Sequence, residues 1–364
     1  MSFWGCKIII DNRDTVPEAA TAQIHNGSRG VSPASSDDAL LAVAVRSGFL
    51  ESQHRGRAVG LAPDGEVVIR AGAAGRPVFP RSANKPMQVA AMVRSGLGLG
   101  GKLLALAAAS HSGQGFHIAG VREILAGAGL DDGALACPAA LPLDEAAATA
   151  VLRGGGIAEP VYNNCSGKHA AMAATCVSAG WPVAGYQRPD HPLQVAVRGT
   201  LERLAGEPAA ATGVDGCGAP LFALSLEGIA RALRAMVLAD PGSPERMVAD
   251  AMRAYPAWTC GSSRTERGLM AAVPGLLVKG GAEGVEVFAF ADGRAGAVKI
   301  ADGARRAVTR VTVALLRALG IAGGAAAHGV SAPGVDAAAL DALASSPLLG
   351  GGSAVGEVRA VWPA

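Results

Sequence analysis

Charge is scarce in this chain: of 364 residues only 17% are Asp, Glu, Lys or Arg, and the formal net charge is +2. With no basic surplus there is no electrostatic footprint for a phosphate backbone, which excludes nucleic acid as the main partner. Half the residues are hydrophobic, too many for a disordered chain. Yet no apolar run is long enough to span a bilayer, because 102–109 is short and 170–186 is broken by Ser and Gly. The opening MSFWGCKIIIDNRD follows its three isoleucines at once with charges, which is no signal peptide. Six cysteines without regular spacing offer no disulfide framework. A cytoplasmic chain without membrane or nucleic-acid partners is expected.

Lysine is the scarcest feature that carries information. Six lysines stand against 26 arginines. A chain so biased fills ordinary solvated positions with Arg, whereas only lysine readily gives up its proton when buried and acts as base or ligand. Lys85, Lys168 and Lys279 each sit in a polar, glycine- or serine-bearing context and are the places to look for chemistry.

Along the chain, residues 1–37 are polar and irregular and read as an extension, with one domain over 38–364. LLAVAVRSG and GRAVGLAPDGEVVIRAG read as strands, the latter folding back at Asp64-Gly65. Helical stretches are expected at 82–95, 102–110, 115–127, 166–179, 192–205, 221–237 and 243–254, which gives a helical region over about 100–273. GVEVFAFAD and GAVKIADG then return to strands with a turn at Asp292-Gly293, before helices at 305–319 and 336–345. Strands at both ends with helices between predict an α+β fold, its N- and C-terminal strands sharing one antiparallel sheet.

Five segments carry candidate chemistry. Ser82 and Lys85 are three apart at a helix start, so hydroxyl and amine share a face, and a neutral lysine can activate a serine. Ser110-His111-Ser112-Gly113-Gln114 is a polar loop after a buried Ala-rich run, in which Ser112 could also serve only as a helix cap. Lys279-Gly280-Gly281 ends an apolar run on a strand. S-x-x-K, a serine-bearing polar loop and a strand lysine followed by glycine occur in the order used by serine acyl-transferases. Asn163-Asn164-Cys165-Ser166-Gly167-Lys168-His169 leads a helix, and Asp215-Gly216-Cys217-Gly218 forms a glycine-rich turn. Two thiolates and a nitrogen suit zinc. His169 is the more ordinary nitrogen donor and Lys168 the unusual one.

Together SxxK, SHSG, NNCSGKHAAM, GVDGCGAP and VKGGAEG resemble the rhizobial-type L-asparaginase family over about residues 40–330. That family is similar in fold to the serine β-lactamases, penicillin-binding proteins and serine glutaminases. The resemblance implies a homodimer that releases ammonia from L-asparagine through two Ser–Lys pairs. One pair is Ser82 with Lys85; the other is Lys279 with Ser112 or Ser110. It also implies zinc on Cys165, Lys168 and Cys217, with Asp215, His169, His111 and Arg81 close to the substrate. Two other readings stay in view. A glutaminase or β-lactam hydrolase of the same fold would give CSGKH and DGCGAP no task, and a non-enzymatic zinc or ligand-binding protein would release no ammonia.

Overall fold

A computed structural model of the chain describes residues 37–322 and 333–362. The extension expected at 1–37 lies, except for Asp37, outside the described residues. The described strands are β1 (Ala39–Arg46), β2 (Phe49–Leu61), β3 (Val67–Ala71), β4 (Pro77–Val78), β5 (Ala211–Val214), β6 (Pro220–Ser225), β7 (Leu277–Gly280), β8 (Val285–Ala289), β9 (Ala295–Ile300), β10 (Ser345–Gly350) and β11 (Ser353–Ala360). Eight of them form one sheet in the order β10-β11-β1-β2-β9-β8-β7, with β3 added to β2. Every pairing in it is antiparallel. The N- and C-terminal strands do share one sheet, joined where Gly56 of β2 faces Ile300 of β9 and Leu61 faces Ala295.

This sheet is covered on both faces, which is why β8 and β9 are buried almost throughout and show little polar alternation. Leu277, Val285, Val287 and Ala297 point into the core shared with the helical region. Val278, Phe288 and Val298 point into a second core under the helices Arg305–Ala318 and Ala337–Ala344. The two-residue period of β7 therefore turns Lys279 to the same side as Leu277, toward the helical region.

The helices between β4 and β7 begin and end on local signals. Asp144, Ser225 and Ser243 each accept a hydrogen bond from a first-turn backbone N–H, and Pro192 and Pro244 open their helices. Gly206, at φ 69°, closes the helix Pro192–Ala205 in the left-handed conformation. Helix Leu226–Leu238 buries Leu226, Ile229, Leu233, Met236 and Val237, each such side chain contributing about 1.5–3 kcal/mol.

The helix expected over 221–237 starts later. Residues 220–225 are β6, the centre of a small antiparallel sheet β4-β6-β5, and Ser225 caps the helix that follows. All six residues of β6 are buried, and a short apolar run buried on all sides has no period by which strand and helix differ.

Candidate active site

The SHSG segment is a loop fastened on two sides. Ser110 N–H donates to Thr259 O (3.2 Å), Ser112 Oγ donates to Cys260 O (2.7 Å), and Gln114 Oε1 accepts from Ser262 N–H (3.0 Å). On the other flank His111 N–H donates to Asn164 O (3.2 Å). The His111 ring lies between Gly113 N–H, which donates to Nδ1 (3.1 Å), and Ser166 Oγ at 2.9 Å from Nε2. Ser166 gives its own proton to Val161 O (2.7 Å), so Nε2 carries the ring proton and both nitrogens are occupied. Burial, reinforced by His117 and Lys85, holds the His111 pKa well below the ordinary value. The residue thus holds the loop and has no polar atom left over for substrate. Ser112 does not cap the following helix, whose N-terminus at Gln114 has no side-chain cap.

That fastening aims Ser110 at two lysines. Lys85 Nζ donates to Ala109 O (2.6 Å) and lies 3.1 Å from Ser110 Oγ. Lys279 Nζ reaches the same hydroxyl at 2.9 Å and donates to Gly280 O (2.7 Å). All three side chains are buried. Burial, and then Lys85, bring the Lys279 pKa down from 10.5 to about 7. Of the two serines open as partners of Lys279, it is Ser110 that makes the contact.

Ser82 lies on the 3-10 turn Arg81–Asn84 that runs into the helix Lys85–Arg94. It is half-buried, and its hydroxyl makes no hydrogen bond to Lys85. Arg81, just before it, has φ 51°, a strained conformation for a side chain of that size. Arg81 Nε donates to Asp215 Oδ1 (2.7 Å), and Nη1 faces Glu283 Oε1 at 3.7 Å. Gly281 packs onto this turn so closely that a Cβ there would stand 2.6 Å from Pro80 O and 3.3 Å from Ser82 N. The glycine is required by that approach.

Cys165 is the N-cap of the helix Ser166–Ser178, where Lys168 lies in the first turn, and Cys217 lies in the tight turn between β5 and β6. Lys168 Nζ donates to Cys217 Sγ (3.1 Å), and Cys217 Sγ lies 3.7 Å from Asp215 Oδ2. Cys217, followed by the Lys85 and Lys168 amines, draws the Cys165 thiol well below its ordinary pKa, and its place at a helix N-terminus acts in the same direction. Burial works against the Lys168 charge, but Cys217, Cys165 and Asp215 outweigh it and raise its pKa. Asp215 is held ionised against burial by Arg81 and Lys168. His169 Nδ1 meets Tyr186 Oη at 2.8 Å, while its buried Nε2 has no partner.

Among the described residues no three His, Cys, Asp or Glu side chains are grouped so as to hold a metal ion. The buried set here is two sulfurs and one amine, donor types that suit zinc once the Lys168 proton leaves. An open cleft of about 830 Å³ lies to one side, with Ser112, Asp144, Arg153 and Arg264 in its walls. It does not reach Lys85, Ser110 or Lys279. No described helix is long and apolar enough to cross a membrane.

Sequence reasoning missed what stands behind Lys279. Glu266, 2% exposed, accepts from Arg264 Nη2 (3.1 Å) and Arg305 Nη2 (3.2 Å). Its segment SSRTERG carries no spacing that would have marked it.

The family model described as L-asparaginase II matches residues 42–360 of the chain. No curated protein matches it. Two solved structures are similar at a TM-score of 0.41. One is described as Mglu in its native form, at 15% identity over 73% of this chain and 60% of that one. The other is "putative beta-lactamase from Bacteroides dorei DSM 17855", at 12% identity over 72% of this chain and 93% of that one. The chain thus spans 60% of the length of the first.

Proposed function

The chain belongs to the L-asparaginase II family, which indicates an amidohydrolase of the asparaginase type, and on that premise we propose that it hydrolyses L-asparagine to L-aspartate and ammonia through Ser82. The observation that carries this reading is the meeting of two buried amines, Lys85 and Lys279, on the single hydroxyl of Ser110.

A serine attacks only if something takes its proton, and a lysine ammonium cannot. Two amines bridged by one hydroxyl behave as a coupled pair. Lys279, brought to about 7, is half neutral near neutral pH. Ser110 then donates to the neutral Lys279 amine while accepting from Lys85, and moving both protons along this line leaves Lys85 neutral. Lys85 is then the base for Ser82, three residues before it. In the resting structure Lys85 is turned to Ser110 and Ala109, and catalytic hydrogen bonds of this kind often form only with substrate bound. Ser82 Oγ bonds to the side-chain amide carbon, the C–N bond breaks, and ammonia leaves carrying the proton that Lys85 received. Water then hydrolyses the ester and releases aspartate. The Ser82 backbone N–H, at the start of its helical turn, is oriented to stabilise the oxyanion. Asp215, ionised beside Arg81, faces the substrate ammonium, and the unpaired Nε2–H of His169 is a donor left for its carboxylate.

We further propose that Cys165, Lys168 and Cys217 would hold a zinc ion. When bound, such an ion supplies a fixed positive charge that orients substrate or water. The protein purified without chelator or affinity-tag metal is expected to contain about one zinc per chain. Binding should weaken as the pH falls, because thiolates and a neutral amine must reprotonate. Elemental analysis checks this, and full activity in metal-free protein would remove the zinc from the account.

The test of the substrate is ammonia release from asparagine by the purified chain, with glutamine and a penicillin as competitors. Inhibition by asparagine analogues but not by a penicillin is expected, and no ammonia from asparagine overturns the reading.

A further inference from the structure

The Lys279 strand ends against an ionic cluster that the proposed reaction does not itself use, a buried carboxylate held by one half-buried and one exposed arginine. Glu266 Oε1 receives Arg264 Nη2 and Arg305 Nη2 at 3.1 and 3.2 Å, and Arg264 Nε lies 3.4 Å from Oε2. Arg305 continues past the carboxylate, and its Nη1 donates to Gly281 O (2.8 Å). Gly281 N–H donates in turn to Val285 O (2.8 Å), and the residue itself packs on the Pro80–Ser82 turn. Gly280, whose carbonyl accepts from Lys279 Nζ, leaves the space into which the Glu266 carboxylate fits. One carboxylate therefore stands at the root of both contacts, the Lys279 amine on one side and the Ser82 turn on the other.

Resting on the proposed Ser82–Lys85 reaction and deepening it, we propose that Glu266 is a positioning residue. Through Arg305 it holds the Gly280–Gly281 segment against Ser82, and with its charge it sets how readily Lys279 carries a proton. Against burial, Arg264, Arg305 and Lys279 keep Glu266 ionised, with a pKa of about 2, so it is a fixed anion across the working range. The charged and titratable groups facing Lys279 come from every element around it: Lys85, Cys260, Arg264, Glu266, Arg305 and, from β8, Glu286. Glu266 and Arg264 act on Lys279 in opposite directions, the anion favouring the ammonium and the cation opposing it.

That opposition separates a positioning role from mere support of the fold. Lys279 must be neutral to accept a proton, so activity falls as the pH drops through its pKa. Glu266→Gln removes the anion, lowers that pKa, and should move the acidic limb of kcat/KM to lower pH by about one unit. Arg264→Gln should move it to higher pH. The conservative Glu266→Asp keeps the charge but shortens the reach, so the limb should stay in place while kcat falls. The experiment is ammonia release from asparagine against pH for the wild type and these three variants, each with its thermal midpoint recorded. Should Glu266→Gln fail to fold, the Arg264→Gln and Glu266→Asp profiles still decide. Limbs that coincide with the wild type in Glu266→Gln and Arg264→Gln, or that shift in one common direction, overturn the proposal. A wild type that releases no ammonia overturns instead the reaction on which it rests.

Discussion

Ser82→Ala lowers kcat for ammonia release from L-asparagine by about 10³-fold or more, while the protein stays folded. The contrast between the two effects is what makes the variant informative. The Ser82 hydroxyl is half-buried and makes no hydrogen bond to Lys85, so deleting it costs stability no more than about 0.5 kcal/mol. Ser110→Ala is a less clean experiment, because it also deprives two buried amines of a shared partner. Lys85→Arg completes the argument. A guanidinium retains the charge but cannot give up its proton, so turnover should fall nearly as far as in Lys85→Ala. Steady-state kinetics with a thermal melt of each variant checks both statements, and near wild-type turnover in Lys85→Arg removes lysine as the base.

Lys279→Met is expected to abolish turnover to a similar depth and to change how stability depends on pH. The wild-type amine is charged below about 7 in the folded chain and below about 10.5 once unfolded. Between these values the unfolded chain binds more protons than the folded one, so this residue makes folding more favourable as the pH rises through the window. Below about 7 its full penalty is present, on the order of a few kcal/mol for a buried amine. Methionine carries no such penalty. The gap in denaturation midpoint between wild type and variant should therefore narrow in the wild type's favour from about pH 7 to about pH 10, a pattern that paired urea titrations at the two ends of the window would reveal. The wild type's own kcat/KM should fall with an acidic limb near pH 7, since a protonated Lys279 accepts nothing from Ser110.

The legible part of this fold is the part with a period or a punctuation mark. The helices 115–127 and 192–205 run as their apolar spacing and flanking signals indicate, and the turns at Asp64-Gly65 and Asp292-Gly293 join antiparallel strands. β6 was hidden because six consecutive buried residues have no alternation. β11 pairs with both β10 and β1, but the two C-terminal strands are largely half-exposed or exposed and show no regular alternation, so neither burial nor period marks them.

In the site, lysine scarcity pointed to Lys85, Lys168 and Lys279, and the structure buries all three side chains. The choice between Ser110 and Ser112 could not be made from spacing. In the structure Cys260 O engages Ser112 Oγ from 148 residues away, and Ser110 is the serine that Lys279 Nζ meets. His111 reads as a polar side chain in an active loop, whereas tertiary contacts occupy both of its nitrogens. Glu266 escaped for the same reason: the partner that gives it meaning, Arg305, lies 39 residues on.

The most direct test of the account is to stop the enzyme during turnover with acid and to map, by peptide mass spectrometry, where an aspartyl group is attached. The account predicts an ester on the peptide carrying Ser82, lost in Ser82→Ala and accumulating when water attack is slowed. An aspartyl ester on Ser110 or Ser112 instead, with Ser82→Ala still active, would contradict it.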